Sequence, residues 1–151
     1  MADINFTEIA TAAYDALNAC RKSAGEESRD RLKAQKNQAT GLYTYLATWG
    51  LLRLKAEELA IDNGKAQKDV AKKGRKEVMI KFFEKLQDIS GQSDLVDSTD
   101  AKTDRQDLKK LTRLARDGDE YLALSGLALS LAKEFGFWAN AVYHDVQGGG
   151  D

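Results

Sequence analysis

The sequence predicts an all-helical single domain over residues 1–151, a bundle of about five to six helices with no sheet. Three observations carry this. The chain contains no proline, where ordinary usage of about 5% would give roughly seven, and proline interrupts helix interiors and marks loops and strand edges. Apolar residues recur at spacings of three and four, the period of one helix face. The stretches that carry this period are separated by short polar breaks, Gly25, Asp62-Asn63-Gly64, Ser90-Gly91 and Asp117-Gly118-Asp119.

Taken in order, the first helix starts at Thr7 with Glu8 in its first turn. It places Ile9, Ala13, Ala16, Leu17 and Cys20 on one face and stops near Gly25, after Arg21 and Lys22, which suit a C-terminal turn. A second stretch, 26–61, opens charged (Arg29, Asp30, Arg31, Lys33, Lys36) and closes apolar (Leu42 to Leu54). Gly41 and Gly50 lie inside it. Each weakens a helix by about 1 kcal/mol relative to alanine, so each marks a break or a close-packing site. Residues 65–89 are helical in their second half at least, with Val78, Phe82, Leu86 and Ile89 in register and Met79 and Phe83 beside them. A polar, acidic loop over 91–100 leads to a helix over 101–116 with Leu108, Leu111 and Ala115 inward, and then to a last helix over 120–146. Residues 1–6 and 147–151 are expected to be flexible ends.

One internal echo stands out: Tyr45-Leu46-Ala47-x-x-Gly50-Leu51 returns as Tyr121-Leu122-Ala123-x-x-Gly126-Leu127. Its two glycines mark these helices as candidates for a central packed pair, although two Ala/Leu-rich helices can also resemble each other by chance. The last helix carries Leu122, Leu124, Leu127, Leu129, Leu131, Phe135, Phe137, Trp138 and Val142, which cover nearly its whole circumference. Such a helix is buried on all sides, or else part of its surface is left for a partner.

The net charge is −1 with 31% charged residues, which excludes a wholly basic nucleic-acid binder but not local patches. Cys20 is the only cysteine, so no intramolecular disulfide forms and a reducing, cytoplasmic compartment is expected. The N-terminus lacks the basic segment and apolar run of a secretory signal. Residues 121–143 are long enough to cross a bilayer, but Lys133 and Glu134 at their centre favour a buried helix, so no membrane association is expected.

Nothing in the chain predicts catalysis, a metal or a cofactor. His144, the sole histidine, sits at a helix end, and no motif ties it to a nucleophile. Cys20 reads as a small buried hydrophobe. The acidic run Asp94, Asp97, Asp100 and Asp104 has Thr99 where a calcium loop needs glycine. No phosphate-binding glycine loop and no zinc-binding HExxH is present.

The basic residues cluster. Lys102, Arg105, Lys109, Arg113 and Arg116 step by three or four along one helix face, a stripe of roughly 20 Å. Lys65, Lys68, Lys72 and Lys76 form a second stripe, with Lys73 and Arg75 alongside. Such stripes arise as solvated helix faces or as phosphate-binding edges, whose binding is sequence-independent and salt-sensitive. Tyr43 and Tyr45 could stack on bases, but core packing is the preferred reading for both.

Tyr45-Leu46-Ala47-Thr48-Trp49-Gly50-Leu51-Leu52, followed by Leu54 and Leu59, resembles the apolar helix of the small all-helical subunits of type III CRISPR–Cas effector complexes, closest to the type III-B form. The final helix, with Trp138-Ala139 near its end, resembles that family's last helix. Trp49 stands where family members commonly carry asparagine, and a type III-A or III-D small subunit fits the same features. The resemblance implies a non-catalytic subunit that stacks in several copies beside the guide-binding backbone and contacts guide and target RNA without reading sequence. The nine residues of the two stripes are then the expected RNA contacts: Lys102, Arg105, Lys109, Arg113, Arg116, Lys65, Lys68, Lys72 and Lys76. The alternative is a helical protein–protein adaptor or inhibitor that binds no RNA.

Overall fold

The computed structural model describes residues 5–25, 28–61, 69–96 and 105–147. They form α1 (Phe6–Ala24), α2 (Arg29–Trp49), α3 (Leu51–Ala60), α4 (Val70–Ser90), α5 (Gln106–Asp117) and α6 (Asp119–Val142), and contain no strand. The all-helical bundle expected from the sequence is the fold.

Four long helices make the body. Helix α2 runs back along α1, with the Gln35 amide donating to the Cys20 carbonyl at 2.9 Å. Helix α6 runs alongside α1 in the same direction: Tyr14 meets Trp138 edge-on at 5.6 Å, and further along Arg21 donates to the Val142 carbonyl. Helix α4 crosses α1 and α2, and its Phe82 meets Phe135 of α6 edge-on at 5.3 Å in the core. The short helices α3 and α5 pack together where α2 stops and α6 begins.

Each boundary has a local cause. Asn5, rather than Thr7, caps α1, its side chain accepting from the Glu8 N–H at 2.8 Å. Asp69 caps α4 by accepting from the N–H groups of Ala71 and Lys72. The stretch read as one segment over 26–61 is two helices, broken at Gly50, whose φ of 89° only glycine adopts without strain. The Tyr121 hydroxyl accepts from the Leu52 N–H at 3.0 Å, satisfying a donor left open at the start of α3.

The expected α1 face is buried as read, and so are Val78, Met79, Phe82, Phe83 and Leu86 of α4. Other expectations are corrected. Of the residues expected inward on α5, Leu111 is buried, while Leu108 and Ala115 are only half-buried. Asp107 and Leu114 take the inward places beside Leu111, because the buried set follows i, i+4, i+7 from Asp107. The acidic loop sends Leu95 fully into the core, its N–H held by the Gln87 side chain at 2.9 Å. Tyr43 is exposed rather than packed in the core. Gly41 and Gly126 are exposed with nothing near a would-be Cβ, so neither is a close-packing site. Helix α6 is not buried all round: Leu122 is 74% and Phe137 63% exposed.

Candidate nucleic-acid interface

Helix α5 turns by about 100° per residue. Measured from the buried Asp107, Lys109, Arg113 and Arg116 fall at about 200°, 240° and 180°, and all three are exposed. Leu111 and Leu114, near the direction of Asp107, are buried. The amphipathic pattern therefore turns one line of three cations outward, about 10 Å long at 1.5 Å per residue. Lys110, Arg113 and Arg116 line a shallow groove of about 360 Å³ with Leu114, Asp117 and Glu120. The two carboxylates limit the positive field at that end of the helix.

The other expected contacts are placed differently. Arg105 is the N-cap residue of α5, and its guanidinium turns toward Asp107 (3.3 Å). Lys102, Lys65 and Lys68 lie outside the described residues. Lys72 is exposed in the first turn of α4. Lys76 is buried and donates to the Ile61 carbonyl, so it does not join a solvent-facing stripe with Lys72. The period alone put the two lysines on one face, but the end of α3 covers only the second.

Beneath α5 lies a buried ionic cluster that the sequence reading missed. Lys55 of α3 is fully buried. Its ammonium sits 2.8 Å from Glu58 Oε1, 3.1 Å from Asp107 Oδ2 and 3.9 Å from the centre of the Phe83 ring. Asp107 also takes the Arg105 guanidinium through Oδ2 and the Leu108 N–H through Oδ1 at 2.8 Å. Buried charges persist when paired and hydrogen-bonded, and this group holds two cations and two carboxylates. A signal was present in the sequence. Lys55 and Glu58 continue the inward spacing of Leu51 and Leu54, and Asp107 that of Leu111 and Leu114. Charges on an apolar face mark a partner across the core.

A second polar cluster ties down the turn after α6. The fully buried Tyr143 hydroxyl donates to Gln35 Oε1 at 2.7 Å, and the Gln35 amide also reaches Glu77 at 3.3 Å. Arg31 grips the Glu77 carboxylate with two donors. Arg21 grips Asp145 at 2.6 and 2.8 Å, and the Lys36 ammonium donates to the Val146 carbonyl at 2.7 Å. The hydrogen bonds from Arg21 hold the Asp145 carboxyl well below the usual carboxylate range. Burial pushes the Cys20 thiol up to about 12 and the Tyr143 phenol above its usual value. Cys20 is therefore a protonated, enclosed thiol at neutral pH. His144 is exposed, with Nδ1 3.3 Å from the Ala141 carbonyl. Among the described residues no group of three or more His, Cys, Asp or Glu is placed to hold a metal, and no helix is long and apolar enough to cross a membrane.

A different surface lies along α2 and α6, which run antiparallel: Gly136 faces Ala39 and Thr40, and Tyr121 faces Gly50. Residues 37–52 and 121–132 contain no charged side chain. Thr40, Tyr43, Thr44, Ala47, Thr48 and Trp49 of α2 are exposed, as are Leu122, Ala123, Gly126, Ser130 and Phe137 of α6. Lys133, on the exposed side of α6, sits over the Tyr43 ring at 5.4 Å. The aromatic side chains and Leu122 together expose on the order of 400 Å², the size of patch that marks interaction sites. Depletion of charge with aromatic enrichment is the composition of an interface core.

No protein family, no curated protein and no solved structure matches this chain.

Proposed function

We propose that the chain is a non-catalytic small subunit of a type III CRISPR–Cas RNA-guided effector complex, acting in antiviral defence in the cytoplasm. In this reading it stacks in several copies along the guide–target duplex and contacts the RNA backbone through α5. The observation that supports it is the outward line of Lys109, Arg113 and Arg116, set opposite the buried face of α5. Cations of that kind meet phosphates without reading bases. The sparsely charged, aromatic face of α2 and α6 is suited to neighbouring protein subunits.

Two experiments test the reading. Affinity purification of the tagged chain from its native host is expected to bring down the other effector subunits together with a short guide RNA. For the assembled complex, the double substitution Arg113→Glu/Arg116→Glu is expected to weaken target-RNA binding and to flatten its salt dependence. Each lost phosphate contact lowers the log–log slope by about 0.7 to 0.9. An unchanged slope removes α5 from the RNA interface.

The sparsely charged, aromatic surface favours a second reading, a helical adaptor or inhibitor that binds one protein and no RNA. Recovery of a single protein without nucleic acid would select it and leave the cations of α5 as solvated charges.

A further inference from the structure

The basic edge of α5 needs something to hold it in place. Helices of this length are marginal on their own, and α5 has 12 residues. Its buried apolar anchors, Leu111 and Leu114, both lie beyond the first turn, while Leu108 is only half-buried and the N-cap residue Arg105 makes no side-chain capping bond. What holds the first turn is Asp107, whose carboxylate joins the buried Lys55 of α3. Lys109 stands two residues further on, and its N–H closes the first helical bond, to the Arg105 carbonyl at 3.1 Å.

We infer that Lys55, acting through Asp107, is a positioning residue for the cation row: it anchors the first turn of α5 and so places Lys109 for phosphate contact, while Arg113 and Arg116 are held independently by Leu111 and Leu114. The phosphate-contact part of this inference rests on the RNA reading above; the anchoring part does not. A fully buried ammonium is expensive to desolvate, and here it links α3 to α5 and lies against Phe83 of α4. Replacing Lys55 leaves Glu58 and Asp107 buried with one cation fewer, and Lys55→Met is the strong form of the test. Asp107→Asn is the mild form, because it keeps the shape and leaves the Lys55–Glu58 pair in place.

The full-length chain is examined by amide hydrogen exchange and by binding to a uridine homopolymer over a range of salt. In Asp107→Asn the amides of Lys109, Lys110 and Leu111 are expected to lose about tenfold in protection, the loss of one charge-assisted hydrogen bond. Those of Leu114, Ala115 and Arg116 keep theirs. Lys109→Ala is expected to lower the salt slope by about 0.7 in the natural chain and by less than that in Asp107→Asn. Equal loss of protection in every helix, or an effect of Lys109→Ala that is the same in both backgrounds, means that Lys55 and Asp107 only stabilise the fold and overturns the inference. If the natural chain does not bind the homopolymer, phosphate contact by the isolated chain fails, and the exchange comparison still decides whether the first turn is anchored this way.

Discussion

Replacing Gly74 with alanine tests a close approach of α4 to α2. A Cβ built on Gly74 of α4 would stand 2.6 Å from the Arg31 carbonyl oxygen and 3.1 Å from the Ala34 Cβ, both on α2. Carbon and oxygen normally approach to about 3.3 Å, and the oxygen is backbone, so it cannot swing aside. Helices α2 and α4 must separate by several tenths of an ångström along a crossing that also carries the Arg31–Glu77 ion pair. Forcing a methyl into packed space costs about 1–3 kcal/mol, against a gain of about 1 kcal/mol in helix propensity. Gly74→Ala is therefore neutral to destabilising, by up to about 2 kcal/mol. Gly41→Ala and Gly126→Ala carry the same propensity gain with nothing within 4 Å of the new methyl, and each is expected to stabilise by up to about 1 kcal/mol. The contrast, about 1–3 kcal/mol, corresponds to roughly 2–4 °C in Tm per kcal/mol for a chain of this size. Thermal and urea unfolding followed by circular dichroism measure it. If Gly74→Ala raises the melting temperature as much as Gly41→Ala does, the close approach of α2 and α4 described here is wrong.

Two pH effects follow from the polar cluster around the last turn. Asp145 has a lower pKa folded than unfolded, so its tether to Arg21 is complete above about pH 4, the ordinary carboxylate value, and is lost as pH falls further. Protection of the Val146 amide, bonded to the Tyr143 carbonyl at 2.9 Å and measured against its intrinsic exchange rate at each pH, should fall in acid, and in Asp145→Asn it should already be low at neutral pH. Cys20 and Tyr143 are shifted the other way. Their contribution is complete below about pH 8.5, the free thiol value, and declines as pH rises toward the value of about 12 for the buried thiol. Urea midpoints should fall over that range, and less steeply in Cys20→Ala; an equal fall would locate the alkaline sensitivity elsewhere.

Much of this architecture is legible along the chain, because helix periodicity and caps are local properties. The helical class follows from the absence of proline and the three-to-four spacing, and the buried face of α1 and the core positions of α4 follow from spacing alone. The candidate site was only partly legible. Lys109, Arg113 and Arg116 share a face because three- and four-residue steps place them there, and that face points outward because Leu111 and Leu114 point inward. The same spacing rule misjudged Lys76, since a helix period says which residues align and not which neighbour covers them. Their place in an apolar stretch marks Gly41 and Gly50 as break or close-packing sites. Gly50 is the break, while the close approach belongs to Gly74, which the sequence does not distinguish.

The sequence by itself therefore determined the helices, most of their inward faces and the outward line of cations on α5, because these depend on residues a few positions apart. Tertiary structure decided the partners: Lys55 with Asp107, Tyr143 with Gln35, Arg21 with Asp145, and the joining of two uncharged helix segments into one surface. The pairs within these contacts are 52, 108 and 124 positions apart in the chain. No local period encodes such separations. For Lys55–Asp107 and Tyr143–Gln35 the energy that selects them is the cost of leaving a buried charge or hydroxyl unpaired, a cost that exists only once the helices have packed. The more exposed Arg21–Asp145 pair forms through two charge-assisted hydrogen bonds once the same packing brings its partners together.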